Sequence, residues 1–315
     1  MRLSLLTISL SLLAGLLTSS AQAKTLYISS NNTVKGYDTV SGVVSTPITM
    51  PNGASAIYTA QTATGDLLVS DYFGDRVLRF SQSGTALGVF ASTGMTGPHC
   101  VTVLQSGEVL VGNWGSGSGT TISRYSSAGS LLGNFTASGV NAPHGIAVGS
   151  DSNVYVANYA DNSGTTVRRF SQAGADLGNF VSSPSIQGPQ QIAFDSAGNL
   201  YSTSFALGTV RKYSPNGFDL GDFVTGLVNP SGVAVDDDGA VYIATYFEET
   251  VRKYNAVGQF QGVVASSAQG VSRPVGLLLA SPVVVPEVSA FGLLVMAAPI
   301  LLIVERAWKK GKSDE

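Results

Sequence analysis

Pro143-His144-Gly145-Ile146-Ala147-Val148, then Asn153-Val154-Tyr155-Val156-Ala157-Asn158, then Thr166-Val167-Arg168-Arg169-Phe170-Ser171, then Leu177-Gly178-Asn179-Phe180, is the stretch on which the fold turns. It holds four β-prone runs, at Ile146–Val148, Val154–Ala157, Thr166–Phe170 and Leu177–Phe180. Gly, Asn, Asp and Ser separate them, and these residues end strands and make turns. No stretch of the body keeps a helical period.

The same phrases recur outward in both directions. Proline, two residues and a β-rich run appear as Gly97-Pro98-His99-Cys100-Val101 and Gly188-Pro189-Gln190-Gln191-Ile192. They return as Asn229-Pro230-Ser231-Gly232-Val233 and Arg273-Pro274-Val275-Gly276-Leu277. Counting Pro143, the proline spacings are 45, 46, 41 and 44. A second phrase reads Val77-Leu78-Arg79-Phe80-Ser81, Ile122-Ser123-Arg124-Tyr125-Ser126, Val210-Arg211-Lys212-Tyr213-Ser214 and Val251-Arg252-Lys253-Tyr254-Asn255. With Phe170 and the degenerate copy Val34-Lys35-Gly36-Tyr37-Asp38, its aromatic falls at 37, 80, 125, 170, 213 and 254.

Four short strands in each repeat of about 40–45 residues is the signature of a β-propeller. Complete units begin near Asn52, Gly97, Ala142, Gly188 and Asn229. The piece 24–48 offers three strands, Leu26–Ser29, Val34–Tyr37 and Val43–Ser45, and Val275–Leu279 offers one. The expectation is therefore an all-β, six-bladed propeller of four-stranded blades over 24–282, its last blade closed by both chain ends. Closure removes the open edges that invite aggregation. The repeat overrides the length of 315 residues, which alone would suggest two domains.

Composition excludes several classes. Lys plus Arg is 17 and Asp plus Glu is 20, for a net charge of −3, so there is no basic footprint for nucleic acid. Cys100, the sole cysteine, precludes an internal disulfide framework and a cysteine-based zinc cluster. His99 and His144 are the only histidines, which limits histidine-based metal chemistry to one small site.

The ends read differently from the body. Arg2, an apolar run from Leu3 to Leu17, and Ala21-Gln22-Ala23 make a signal peptide over 1–23, cleaved after Ala23. The exported form would begin at Lys24. A second apolar run, Val288 to Val304, sits at the lower edge of what spans a bilayer. Arg306, Lys309, Lys310 and Lys312 follow it and place that end in the cytoplasm. Val285-Pro286-Glu287-Val288-Ser289, this apolar transmembrane helix 288–304 and the basic cluster together resemble the bacterial PEP-CTERM sorting signal, with Val288 where the second proline belongs. The resemblance makes 283–315 a sorting tail. It implies cutting near Pro286 and Glu287 by exosortase-like machinery and delivery to the cell surface. A permanent membrane anchor is the alternative.

The repeat wording of 153–174 resembles the NHL family, whose propellers serve both as binding scaffolds and as enzymes. In such propellers the first strand of each blade lines the central channel, and the loop after the second strand lies on the same face as the connection into the first. Carried over, this puts His99 and His144 at the channel rim, with Asp71, Asn113 and Asn158 ending second strands on that face. Trp114, beside the glycine-rich 115–119, would be a ligand-stacking residue there. The implied ligand-binding set is Asp71, His99, Asn113, Trp114, His144 and Asn158.

Pro143-His144-Gly145-Ile146-Ala147-Val148 is also similar to virginiamycin B lyases and gluconolactonase-like propellers, which hold a divalent metal at the channel mouth. That resemblance implies calcium or magnesium on Asp71, His99, Asn113, His144 and Asn158, with His99 and His144 catalytic. Against it, the later counterparts of Asp71 are Ser204 and Thr245, and the lyase-type acid followed two residues on by histidine is missing. Pro-His also has a plain reading as the loop phrase of the repeat.

Other features have structural readings. The cations Arg79, Arg124, Arg169, Lys212 and Lys253 fit a ladder paired with neighbouring acids, the alternative being an anion-capturing ring. Asp236-Asp237-Asp238-Gly239 matches the hairpin turn at Asp195-Ser196-Ala197-Gly198, although clustered carboxylates also suit calcium. Cys100 takes the slot of Gly145 as a small buried residue. The first expectation for function is an exported, cell-surface binding module that meets a surface polysaccharide or a protein ligand. The alternatives are a metal-dependent lyase or lactonase, and a structural matrix protein.

Overall fold

The computed structural model describes residues 23–280, except 118, 137 and 161. The expected signal peptide (apart from Ala23), the Pro286-Glu287 motif and the helix 288–304 lie outside the described residues. Among the described residues no helix is long and apolar enough to cross a membrane.

Twenty-four strands form six antiparallel four-stranded sheets. We number the blades from the first whose strands are contiguous in sequence. The innermost strands of blades one to five are Ala56–Gln61, Pro98–Val103, Pro143–Val148, Pro189–Phe194 and Pro230–Val235. Blade six is composite. Its innermost strand is Pro274–Ala280, from the end of the body, and the next three are Thr25–Ser30, Thr33–Asp38 and Val44–Thr49, from its beginning. Thr25 pairs with Ala280 and Ser30 with Pro274, which closes the ring. The six-bladed expectation and its three-plus-one closure both hold.

The periodic aromatics show how the blades stay together. Phe170, fully buried, packs among Leu110, Ile122 and Phe135 of the preceding blade. Tyr125 does the same against Val77 and Phe90, and Tyr213 against Tyr155 and Val167. The set continues round the ring: Tyr254 meets Tyr201 and Val210, Tyr37 meets Tyr242 and Val251, and Phe80 meets Val34 and Ile48. Each third strand thus drives a wedge into its neighbour. A fully buried side chain of this size contributes roughly 1.5–3 kcal/mol of transfer free energy.

The cations beside these wedges form the expected ladder. Arg79 pairs with Asp66, Arg124 with Glu108 and Lys212 with Asp195. Arg169 lies beside Tyr155 and Asp151, and the Lys253 ammonium lies over the Tyr242 ring. The Asp236–Asp238 segment is a turn, closed by the Gly239 N–H to Asp236 carbonyl bond at 2.9 Å with Gly239 at φ +83°. Lys24 Nζ takes the carboxylates of Asp236 and Asp237 at 2.6 and 2.7 Å. Near the axis, the Gln191 amide accepts from the Val233 and Leu277 N–H groups and donates to the Leu277 carbonyl, joining blades four, five and six.

Phe170→Ala removes a wedge without removing a strand residue. We expect a loss of about 3–5 kcal/mol in chemical denaturation. Arg79→Ala, which breaks a half-exposed ion pair, is expected to lose under about 1 kcal/mol. Equal losses would contradict the assignment of inter-blade cohesion to the aromatics.

Candidate functional site at the channel mouth

Two repeat positions build one end of the channel. The first follows the opening residue of the innermost strand in every blade but the fifth, whose Ser231 is fully buried and off the cavity: Ile57, His99, His144, Gln190 and Val275. The second follows the end of each second strand: Tyr72, Trp114, Tyr159, Phe205 and Tyr246. These ten residues line a cavity of about 260 Å³. None of them is Asp, Glu, Lys or Arg.

The second ring is positioned by a latch. The polar residue ending the second strand turns back and accepts an N–H from the loop that leads into the innermost strand. Asp71 takes Ser55 N–H at 2.9 Å, Asn113 takes Thr96 at 3.3 Å, and Asn158 takes Asn141 at 3.0 Å. Ser204 takes Gln187 at 2.8 Å, and in the composite blade Ser30 takes Ser272 at 2.6 Å. In blade five Thr245 bonds Thr250 instead, and Tyr246 lines the cavity as its counterparts do.

The structure brings only part of the expected set to the cavity. His99, Trp114 and His144 do meet. Asp71, Asn113 and Asn158 do not line the cavity, because their side chains are spent on the latches. Asp71 is fully buried and also holds Arg76 at 2.8 Å and the Gly74 N–H at 3.2 Å. Asn113 donates to Thr121 and Ser123, and Asn158 to Gly139 and Thr166. Sequence reasoning stopped one residue short. An aromatic follows the second strand in five blades and was a readable signal, but only Trp114 was singled out.

The centre of the mouth is a stack. His144 lies between His99 and Tyr159, with ring centroids 3.8 Å away on each side and interplanar angles of 21° and 13°. Trp114 meets His144 edge-on at 5.2 Å. His99 Nδ1 sits 3.2 Å from the His144 carbonyl oxygen. A carbonyl only accepts, so Nδ1 carries the proton and Nε2 of neutral His99 is an acceptor. Burial pushes the His99 imidazole down to about 4, opposed by this hydrogen bond. Burial, and secondarily the neighbouring His99, hold His144 well below the usual histidine range. Both rings are therefore neutral near pH 7.

Several buried polar atoms here lack partners among the described residues: both ring nitrogens of His144, Trp114 Nε1 and, behind His99, the Tyr58 hydroxyl. A buried polar atom without a hydrogen bond costs about 1–3 kcal/mol. Cys100, packed beneath, is inert: burial pushes its thiol up to about 12.

The expected calcium or magnesium does not fit these residues. Both ions take oxygen ligands, chiefly carboxylates. The lining holds no carboxylate, and the carboxamide and carboxylate oxygens of Asn113, Asn158 and Asp71 accept the latch N–H groups. Imidazole lone pairs lie in the ring plane, so face-to-face rings direct them along nearly parallel lines and not to one point. Among the described residues no group of three or more His, Cys, Asp or Glu is gathered for a metal.

Comparison with known proteins extends the fold and nothing further. No protein-family model matches the sequence, and no curated protein matches it. A chain of a nidogen/laminin complex matches with a TM-score of 0.70 at 13% identity, over 82% of this chain and 98% of that one. A streptogramin B lyase matches with 0.59 at 14%, over 82% and 91%. A catalytically inactive virginiamycin B lyase from Staphylococcus aureus, with quinupristin, matches with 0.54 at 16%, over 74% and 80%. The likeness is one of fold.

The neutral histidines predict an acid-sensitive fold. Their folded-state pKa values lie below the unfolded value of about 6.5, so the unfolded chain binds protons first as pH falls. Stability should drop between pH 6.5 and 4, with His99 alone contributing about 3 kcal/mol by pH 4. Denaturation at stepped pH checks this. The slope should flatten in the double variant His99→Gln, His144→Gln, and a flat wild-type profile would contradict it.

Proposed function

We propose that this chain is a recognition module, exported and sorted to the cell surface, that seats an uncharged face of its ligand in the aromatic mouth of the propeller. One observation carries the reading: an aromatic crown stands over buried polar atoms that lack partners. Aromatic walls desolvate and stack a flat ligand. Unpartnered donors and acceptors at the floor are then satisfied by the ligand, which converts a standing cost into specificity.

A lyase or lactonase reading has less support. The donor set does not suit its expected metal, so no step is routed through one. An imidazole with a pKa of about 4 is also a weak general base at pH 7. Export and sorting are supported by the signal-like N-terminus and the Pro286-Glu287 tail in the sequence.

Two measurements test the reading. Full-length chain applied to mixed glycan and peptide arrays should show saturable binding. Trp114→Ala and Tyr159→Ala should lose at least about fivefold in affinity, as a lost ring-stacking contact of about 1 kcal/mol requires. Loss of binding with unchanged melting behaviour is the expected pattern, and no saturable ligand at all would sink the module. Terminal sequencing of the cellular protein should find Lys24 first and the tail removed near Pro286. Pro286→Ala with Glu287→Ala should leave an unprocessed, membrane-associated chain. Processing indifferent to that change would overturn the sorting assignment.

A further inference from the structure

We infer that the ligand is an acidic glycan, with one pyranose ring in the aromatic mouth and its acidic group carried outward over blade six to Arg273. This rests on the recognition reading above and specifies its ligand class.

The mouth is not symmetrical. Blade six, the composite one, has Asn31 where the other five have an aromatic. It has Arg273 where the others have Gly97, Ala142, Gly188 and Asn229 before the proline. A second cavity of about 210 Å³ opens at this gap. It shares Ile57, Tyr72, Tyr246 and Val275 with the main one and adds Asn31, Ser55, Ala56, Phe73 and Arg273. The two cavities therefore form one site, an uncharged chamber continuous with a vestibule. Of the residues lining both, Arg273 alone has a formal charge at neutral pH.

Arg273 is exposed and makes no ion pair among the described residues. Arg76, Arg79, Arg124, Arg168, Arg211 and Arg252 are each paired. The carboxylate of Glu249 on this edge accepts from Ser272 Oγ, which in turn accepts from Asn31. A guanidinium facing a cavity without a carboxylate is suited to an anionic oxygen pair, bound bidentately.

The chamber selects the other half of the ligand. An aromatic side chain of a peptide would stack there but bring at most one hydroxyl. The residues lining the chamber carry more polar groups than that: the Trp114 indole, the His144 imidazole and the buried Gln190 amide. A pyranose joins an apolar C–H face, which stacks on an aromatic ring, to a rim of hydroxyls that donate and accept in several directions. Uronate and sulfate esters supply the same anionic chemistry, and the test separates them.

The experiment uses full-length chain with uronate-bearing oligosaccharides, sulfated oligosaccharides, their neutral counterparts, and acidic peptides containing Tyr or Trp. One acidic series should bind at least about tenfold tighter than its neutral counterpart, the effect of one charge-assisted contact. Arg273→Ala should bring the acidic series down to the neutral level and leave the neutral series unchanged. Arg273→Lys should restore part of the difference. Trp114→Ala should weaken both series. Equal binding of acidic and neutral sugars, or indifference to Arg273→Ala, overturns the inference. Binding of peptides alone overturns it too, yet leaves the recognition reading standing. Binding of nothing in any series overturns both.

Discussion

The pairing of Thr25–Ser30 with Pro274–Ala280 is the constraint from which the rest follows. A propeller is a ring of sheets, each covering one face of the next, and an unclosed ring leaves two apolar faces in water. Here the last blade takes its inner strand from one end of the body and its outer three from the other, so neither end of the repeat array is free. Closure also interrupts the repeat. In blades one to five a hairpin connects the first two strands. In blade six those strands belong to opposite ends of the chain, and the residues at the mouth there, Asn31 and Arg273, come from separate segments. The sole break in the aromatic crown falls at the blade where the repeat itself breaks.

In blades one to four and in the composite blade the latch divides labour between neighbours in sequence. The polar side chain at the end of the second strand satisfies backbone N–H groups that would otherwise be buried without partners. That fixes the loop, and the following residue faces the mouth. This is why period, blade count, closure and wedge aromatics were legible in the sequence, while the site was only half legible. The period marks a position as special without saying which way its side chain points. Asp71, Asn113 and Asn158 attracted attention because they are polar and metal-competent, and the fold uses them internally. Tyr72, Tyr159, Phe205 and Tyr246 escaped attention because a periodic aromatic in a propeller is usually core, as Phe80 and Tyr125 are. Only the placement of the loop separates the two classes.

Charge is arranged so that it says little about the ligand over most of the molecule. The third-strand cations are absorbed by hairpin acids or, for Lys253, by an aromatic face, on the sides of the blades. The histidines in the mouth are held neutral by burial. Around such a chamber a charged ligand group has no counter-ion, and carrying it inside would cost several kcal/mol. A charge on a ligand would therefore have to stay outside the chamber, and at blade six the vestibule wall carries the Arg273 cation.

Exposed apolar surface alone does not mark a site in this protein, and the outer strands show why. Leu87, Leu132, Leu177 and Leu220 all stand in solvent there. Each is followed by a glycine at positive φ, Gly88, Gly133, Gly178 and Gly221. The register with the third strand shifts at each. A bulge with a left-handed glycine bends an edge strand away from the geometry another strand would need, which protects these outer edges from pairing. The mouth combines three properties: enclosure, stacked rings, and buried donors and acceptors left unpartnered among the described residues. This combination, with the aromatic recurring in five blades and missing from the composite sixth, distinguishes the mouth from a protected edge.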